Sequence, residues 1–576
     1  MFKVYKKYIP HLIVCFALLF LEAFADLAMP EYMAQMMEKV VGGAGTLEIL
    51  KIGGIMLGYA ALVTGCSVLV GYIASVVGSG TSRKLREMLF SKVSDFSAAE
   101  FDKFRVSSLI TRSTNDVTQV QMFTIMFVRI VMYAPILAVG GIIKAIANST
   151  GMDTLVWVIV AAVGAIICSL AALMLIVQPK FTRLQKIVDR LNSVARESLT
   201  GKEVVRAFGT QRFEESRFDE VNTDLKKTQL FVNRIMGLFM PIVTVVMNGV
   251  SIAVIWLTSY QATDIAMVTS MMAFIQYAVQ IIMAFMMVTM VFVLMPRAVV
   301  SVKRINEVLK SKISIVDREG AIKAENTKGE LVFENVSFRY GDSEDAVLKD
   351  ISFTSLPGQT TAIIGATGSG KSTLIKLIPR LYDVSEGCVK LDGRDVRDYT
   401  VDSLRDNISF VPQKNVLLKG TIESNIKYND IDGNVEDMKT AAEIAQATEF
   451  IDSKENGYES EIAQGGGNVS GGQKQRLAIA RALYKKAPVY IFDDSFSALD
   501  FKTDAALRAA LKEKLADKNI IIVAQRVGSI MNADQILVLD EGRLVGKGTH
   551  SELMKTCSVY NEIAHSQLSK EELQNA

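Results

Sequence analysis

Six long apolar stretches constrain this chain more than any other feature. They cover roughly residues 9–30, 51–78, 123–147, 154–177, 235–260 and 265–295. A bilayer core needs about 20 apolar residues in helical form, and each stretch is long enough to span. An even number of spans puts both termini on one side. Lys3, Lys6 and Lys7 precede the first span, and the long connections 79–122 and 178–234 carry Arg83, Lys84, Arg86, Arg183, Lys186, Arg190, Lys202 and Arg206. The opposite connections, near 42–50, 148–153 and 261–264, are short and carry Glu48, Asp153 and Asp264. Basic residues favour the cytoplasmic side. Both termini and the long connections are therefore expected there, in a multi-pass protein of the cell membrane, probed on one side by the lipid bilayer as partner. The first run lacks a small-residue cleavage site, so no cleavable leader is expected.

The long connections lack Gly/Pro clusters and keep a helical spacing of apolar residues, so the membrane helices are expected to continue into the cytoplasm. Two segments, Ser108–Val117 and Glu197–Phe208, read as docking elements or as solvated helix surface. Glu22 and Asp26 lie four apart on the first span and share a helix face, and Arg129 and Lys144 belong to the third. A charge in lipid is unfavourable, so such groups face protein or a water-filled cavity. They form either a wall that meets substrate or structural pairs. The sixth span holds Met267, Met271, Met272, Met283, Met286, Met287 and Met290. Flexible thioethers suit varied apolar ligands and also ordinary helix packing. Asp26, Glu22 and Met286 are the candidate cavity residues.

Hydrophobic residues make up 50% of the 576, and nearly all the long apolar runs precede residue 297. That length and shift predict two domains. A membrane domain is expected over 1–310, a linker over 311–329 and a soluble domain over 330–576. The net charge of +2 is too small to suggest a nucleic-acid partner. Cys15, Cys66, Cys168, Cys388 and Cys557 form no CxxC-type metal motif.

The soluble half carries the chemistry. Thr360–Ile364 reads as a strand running into Gly365-Ala366-Thr367-Gly368-Ser369-Gly370-Lys371-Ser372, and a helix follows from Thr373. This is GxxxxGK[ST] in its strand-to-helix setting, and it predicts an α/β P-loop nucleotide-binding domain. Gly365, Gly368 and Gly370 let backbone N–H groups point at phosphate oxygens. Lys371 reaches the β- and γ-phosphates, and Ser372 offers a hydroxyl to Mg2+. A second strand, Val489–Phe492, ends in Asp493, a further Mg2+ candidate. ATP and Mg2+ are thus the expected ligands. Val469 then precedes Ser470-Gly471-Gly472-Gln473, a polar cap and two glycines opening another helix. A second phosphate-binding helix start beside an existing phosphate loop suggests a site shared with another copy or a partner.

At these residues the chain resembles the ABC transporter family, of the exporter type with fused membrane and nucleotide-binding domains. The resemblance covers nearly the whole chain. It implies six spans extended into the cytoplasm, then an α/β P-loop domain with a helical subdomain. Ser470–Gln473 resembles the signature that meets a partner's ATP. Gln413 resembles the loop glutamine that touches Mg2+, Ser497-Ala498-Leu499-Asp500 the D-loop, and Tyr340 the aromatic that stacks on adenine. Ser369 and Thr373 complete the expected ATP contacts. The segments around Asn115-Asp116 and Glu197–Phe208 resemble loops that dock on ATPase domains.

Two departures stand out. The family's glutamate after the Mg2+ aspartate is Asp494 here, and its switch histidine is Gln525. A carboxylate one methylene shorter loses roughly 1.3–1.5 Å of reach, and misplacement of about 1 Å can lower a rate 10²-fold. An amide can hydrogen-bond a phosphate but carries no positive charge. Lys371, Gln413, Asp494 and Gln525 are therefore expected to bind ATP well and hydrolyse it weakly. The resemblance then points to the degenerate-site subunit of heterodimeric bacterial multidrug-type exporters, moving amphipathic drug-like or lipid-like substrates outward. The alternatives are a homodimeric exporter, or an ABC protein in which ATP gates rather than pumps.

Overall fold

The apolar runs fold into helices far longer than a bilayer is thick. The computed structural model describes residues 2–147, 153–259, 265–341 and 343–568. Among these, six helical segments are long and apolar enough to cross a membrane. The principal helices are α1 (Ile9–Val41), α2 (Thr46–Ser94), α3 (Ala98–Phe104), α4 (Val117–Met126), α5 (Tyr133–Ala147), α6 (Asp153–Thr200), α7 (Lys202–Ala207), α8 (Gln211–Gly237), α9 (Phe239–Ser259) and α10 (Ile265–Lys310). The 49 residues of α2 extend roughly 74 Å at 1.5 Å per residue, more than twice the hydrocarbon thickness. The sequence expectation of helices running on past the bilayer thus holds. Of the expected opposite connections, 148–152 and 260–264 lie outside the described residues.

The chain separates into two units: Met1–Val93 with Ser107–Lys310, and Ser94–Val106 with Ser311–Ala576. The split places α3 with the second unit. The Glu100 carboxylate there accepts from the Ser97 amide at 2.8 Å and the Ser314 amide at 3.1 Å. Ser108–Val117, the segment singled out for docking, belongs to the membrane unit. Its Asp116 is buried and accepts from Ser301 Oγ at 3.0 Å, with Arg304 at 3.3 Å. Its Arg112 donates to the Arg304 carbonyl at 2.6 Å and to Glu307. The second segment carries Leu199, Val204 and Phe208 exposed.

Two irregularities shape the membrane unit. Pro30 lies inside α1 and has no N–H to offer the carbonyl four residues back. The Asp26 carbonyl accepts from Gln280 Nε2 at 3.2 Å instead, and the next, Leu27, accepts from Tyr277 Oη at 3.0 Å. Membrane helices tolerate proline where a neighbour satisfies the freed group. Between α4 and α5, Phe127–Val131 forms a π-helical turn, which inserts a residue and re-aims the side chains on it. Close packing follows from small residues. A Cβ on Gly141 would stand 2.9 Å from Ile281 on α10, so α5 and α10 approach where only glycine fits.

The second unit is an α/β assembly of two principal sheets, with a small third one pairing Gly420–Thr421 with Glu461–Ile462. β1 (Leu331–Phe338), β2 (Leu348–Ser355), β4 (Glu386–Leu391) and β5 (Arg394–Asp395) form an antiparallel sheet in the order β2-β1-β4-β5. The other sheet contains β3 (Thr360–Gly365), β6 (Ile408–Val411), β7 (Val489–Asp493), β8 (Asn519–Val523), β9 (Gln535–Asp540) and β10 (Arg543–Gly548), in the order β10-β9-β3-β8-β7-β6. All its pairs are parallel except the β9–β10 edge. Its central strands are buried throughout, as strands covered on both faces must be. Helices between β6 and β7, including Val435–Ile444 and Gly471–Tyr484, form the helical subdomain. This architecture matches the expected fold class.

Candidate functional site

Parallel strands place their C-terminal tips at one edge, where α/β sheets bind ligands. In register, Ile363 pairs with Val523 and Val523 with Asp493, while Phe492 pairs with Val411. The loops leaving these tips converge on a cavity of about 230 Å3 lined by Gly368, Lys371, Ser372, Gln413, Asp494 and Gln525, among others. Residues far apart in sequence meet here because their strands stop at one level.

The phosphate loop curls over the cavity. Gly370 has φ +97, a conformation disfavoured for any residue with a Cβ. The helix Lys371–Leu377 begins immediately after it. Lys371 Nζ donates to the Gly365 carbonyl at 2.8 Å and the Ala366 carbonyl at 2.7 Å, and lies 3.5 Å from Ser369 Oγ. Burial lowers the Lys371 pKa, while Asp494 and Asp493 oppose the shift. Ser372 Oγ donates to Asp493 Oδ1 at 2.9 Å. Asp493 is buried, and burial raises its pKa against the Ser372 hydrogen bond and Lys376.

Asp494 sits at φ +48, with its amide donating to the Val523 carbonyl. One oxygen, Oδ2, accepts from both Gln525 Nε2 at 2.8 Å and Gln413 Nε2 at 3.3 Å. Burial raises its pKa, and the Gln413 hydrogen bond and the Lys371 charge oppose it. The three residues that sequence reasoning grouped by chemistry thus form one hydrogen-bonded cluster.

Tyr340 stands beside the loop. Its hydroxyl is 2.9 Å from Thr373 Oγ1, and its ring meets Tyr382 edge-on at 5.1 Å. Tyr382 Oη donates to Asp102 on α3 at 2.8 Å. Sequence reasoning missed Tyr382, whose role depends on a segment 280 residues away. It missed Gln567 also. The Gln567 side chain accepts from the Val527 amide at 2.8 Å and donates to the Gln525 carbonyl at 2.9 Å. This two-point clasp holds the segment that bears Gln525, and nothing local to position 567 announces it.

Ser470 caps Gly471–Tyr484 in a reciprocal box with Gln473: its amide donates to Gln473 Oε1 at 3.0 Å, and its Oγ accepts from the Gln473 amide at 3.3 Å. Such a box leaves the first turn ordered. The D-loop packs behind it. The Ala498 amide donates to Gln475 Oε1 at 3.2 Å, Ser497 Oγ donates to the Asp494 carbonyl at 3.1 Å, and Asp500 caps the helix Phe501–Lys514. Among the described residues, none of Ser470–Gln473 lines the phosphate-loop cavity. Leu499 is partly buried against the domain core.

In the membrane unit, Glu22 is buried and lines a cavity with Arg129 and Met287. Asp26 does not share that lining; it is half-buried and accepts from Tyr133 Oη at 2.6 Å. Met286 packs partly buried on the membrane core, and its neighbour Met287 faces the cavity. Lys144 pairs with Glu31 at 2.7 Å.

A membrane unit of six crossing helices and a phosphate-loop unit on one chain define a nucleotide-driven membrane transporter class. Comparisons with known proteins identify the family. The ABC transporter transmembrane region matches residues 12–285, and the ABC transporter model matches 348–497. An uncharacterized ABC transporter ATP-binding protein of Mycobacterium tuberculosis is 38% identical, with 94% of this chain and 93% of that protein covered. YfiB of Bacillus subtilis, likewise uncharacterized, is 34% identical over 97% and 96%. The ATP-dependent lipid A-core flippase of Vibrio vulnificus is 31% identical over 97% and 95%. A bacterial Atm1-family ABC exporter with ATP bound shares the fold, with a TM-score of 0.77 and 24% identity over 98% and 99%. The chain belongs to the ABC transporter family, with transmembrane and ATP-binding parts fused and the exporter fold.

Proposed function

We propose that this chain is one subunit of a heterodimeric ATP-driven exporter, whose own phosphate-loop site holds ATP and hydrolyses it slowly. The observation that carries this reading is the Asp494 cluster. Both glutamine amides converge on one oxygen of a shortened carboxylate, and no histidine stands at the switch position. The site keeps what binding needs. Tyr340 offers a face to adenine, while Gly365, Gly368, Ser369, Gly370, Lys371, Ser372 and Thr373 cradle the phosphates. Ser372, Asp493 and Gln413 supply hard oxygen donors of the kind Mg2+ takes. When bound there, Mg2+ neutralises charge developing on the γ-phosphate. This chain's residues orient the nucleotide, but Asp494 activates water poorly.

The ordered Ser470–Gln473 turn completes the partner's competent site, with Ser497–Asp500 beside it. The exposed Leu199, Val204 and Phe208 offer an apolar tip to the partner's ATPase domain. ATP then holds two ATPase domains together and drives the membrane halves from inward to outward access. The identity to lipid A-core flippases supports amphipathic, lipid-like or drug-like substrates taken from the cytoplasm or inner leaflet. Both termini and the ATPase unit lie in the cytoplasm.

The test compares two variants of the reconstituted two-chain complex in an ATPase and vesicle-transport assay. Replacing the partner's catalytic glutamate nearly abolishes turnover, while Asp494→Asn leaves most of it. Loss of turnover in Asp494→Asn alone, or fast hydrolysis by this chain purified by itself, overturns the asymmetric reading.

A further inference from the structure

The cavity beside Glu22 measures about 380 Å3 and lies wholly among helices of the membrane unit. That volume suits a small ligand or a headgroup. Glu22 is 8% exposed and forms part of the lining. Among the described residues its Oε2 has no hydrogen-bond partner. A buried carboxylate oxygen left unsatisfied is unfavourable, and in lipid more so. A structural ion pair would have closed this valence. Arg129 lines the same cavity, yet Oε2 stays open.

The arrangement is polar in a directed way. Glu22 is buried, whereas Arg129 is exposed and carried on the π-helical turn Phe127–Val131. Such turns re-aim side chains and recur at functional sites. Ser67, on α2, lines the same cavity. The rest of the wall is apolar, with Leu19, Val70, Ile125 and Met287 among it. A buried negative group and an exposed positive one in one lining select a ligand with the opposite order: a cation at its tip and an anion one short linker behind. Apolar walls and the surrounding bilayer suit a chain attached beyond the anion.

We propose that this cavity binds a zwitterionic headgroup of the phosphoethanolamine type, its ammonium on Glu22 and its phosphate on Arg129. The inference rests on the exporter reading and names the polar part of the substrate. The ammonium has N–H donors for the open Glu22 oxygen. The guanidinium offers paired donors to phosphate oxygens.

Equilibrium titration of the two-chain complex in maltoside micelles tests it, with short-chain phosphatidylethanolamine as probe. N-acetylation of the probe's amine, or Glu22→Gln, weakens binding by about 10- to 100-fold, and the two losses do not add. Arg129→Gln weakens the parent and the acetylated probe alike. Chain-free phosphoethanolamine distinguishes the source: equal affinity assigns the site to a soluble zwitterion, and binding only of the chain-bearing probe assigns it to lipid. The proposal is overturned if Glu22→Gln keeps the wild-type affinity and preference for the free amine, or if that variant merely lowers the melting temperature with selectivity intact. Arg129→Gln supplies the second reading where Glu22→Gln fails to fold. Because these are binding constants measured without turnover, they stand apart from ATP-dependent accumulation in vesicles, which tests the exporter reading itself.

Discussion

Glu22 in the membrane unit and Asp494 in the ATPase unit are both acids withdrawn from water, and both have a basic residue close by. Their oxygens meet opposite fates. Asp494 Oδ2 accepts two amide hydrogen bonds, while Glu22 Oε2 accepts none among the described residues. A closed cluster holds its geometry and resists rearrangement, whereas an open valence in an apolar wall draws in a ligand that can close it. In the proposed reading, the ATPase cavity holds its ligand and the membrane cavity selects.

The largest way to break the comparison lies at the signature. Ser470→Arg places a bulky cation at the capped turn, and the complex's ATPase rate is expected to fall by about 10²-fold or more. Only minor loss would mean that this turn serves no competent site. Next in size is a gain. Asp494→Glu with Gln525→His restores the longer carboxylate and the basic switch, and is expected to raise hydrolysis at this chain's own site by about 10²-fold. Single-turnover measurement with the partner's site disabled reads it. No gain would move the cause of slowness away from these two positions.

A smaller effect concerns α3. Burial pushes the Glu100 pKa up, but the hydrogen bonds from Ser97 and Ser314 outweigh it and hold the group below its usual value. Its stabilising contribution is therefore fully present above the ordinary glutamate pKa. It is lost as pH falls through the depressed one, below about 4.3. Pulse-labelled hydrogen exchange should show protection of residues 97–104 fading over that acid range. In Glu100→Gln the fading should flatten. The smallest effect belongs to the Gln567 clasp. Removing two hydrogen bonds with Gln567→Ala costs about 1–3 kcal/mol, read as faster amide exchange at Val527. Conservative Gln567→Glu keeps one of the two bonds and should fall between.

Much of the architecture was legible in the residues. Apolar length announced the spans, because lipid demands helices that satisfy their own backbone. The glycine loop before Lys371 and the capped turn at Ser470 were legible because their chemistry lies within a few consecutive residues. The bonding of Ser108–Val117 was not legible. Ser108–Val117 has polar side chains that look outward in a one-dimensional pattern, but they are spent on Ser301, Arg304 and Glu307 of α10. Composition likewise signals a methionine-rich span but not which of its methionines line the Glu22 cavity, as Met287 does.

By itself the sequence determined the class of elements, the strand-to-helix phosphate loop and the two departures at Asp494 and Gln525. Those depend on hydrophobic length and on local backbone chemistry. Tertiary structure alone decided that Gln413, Asp494 and Gln525 share one oxygen, that Gln567 clasps the switch segment, and that Glu22 keeps an open valence in the cavity Arg129 also lines. Each of those facts depends on where distant strands stop or how helices rotate against one another. The physical reason is that hydrogen bonds are satisfied over about 3 Å of space, whatever the distance along the chain.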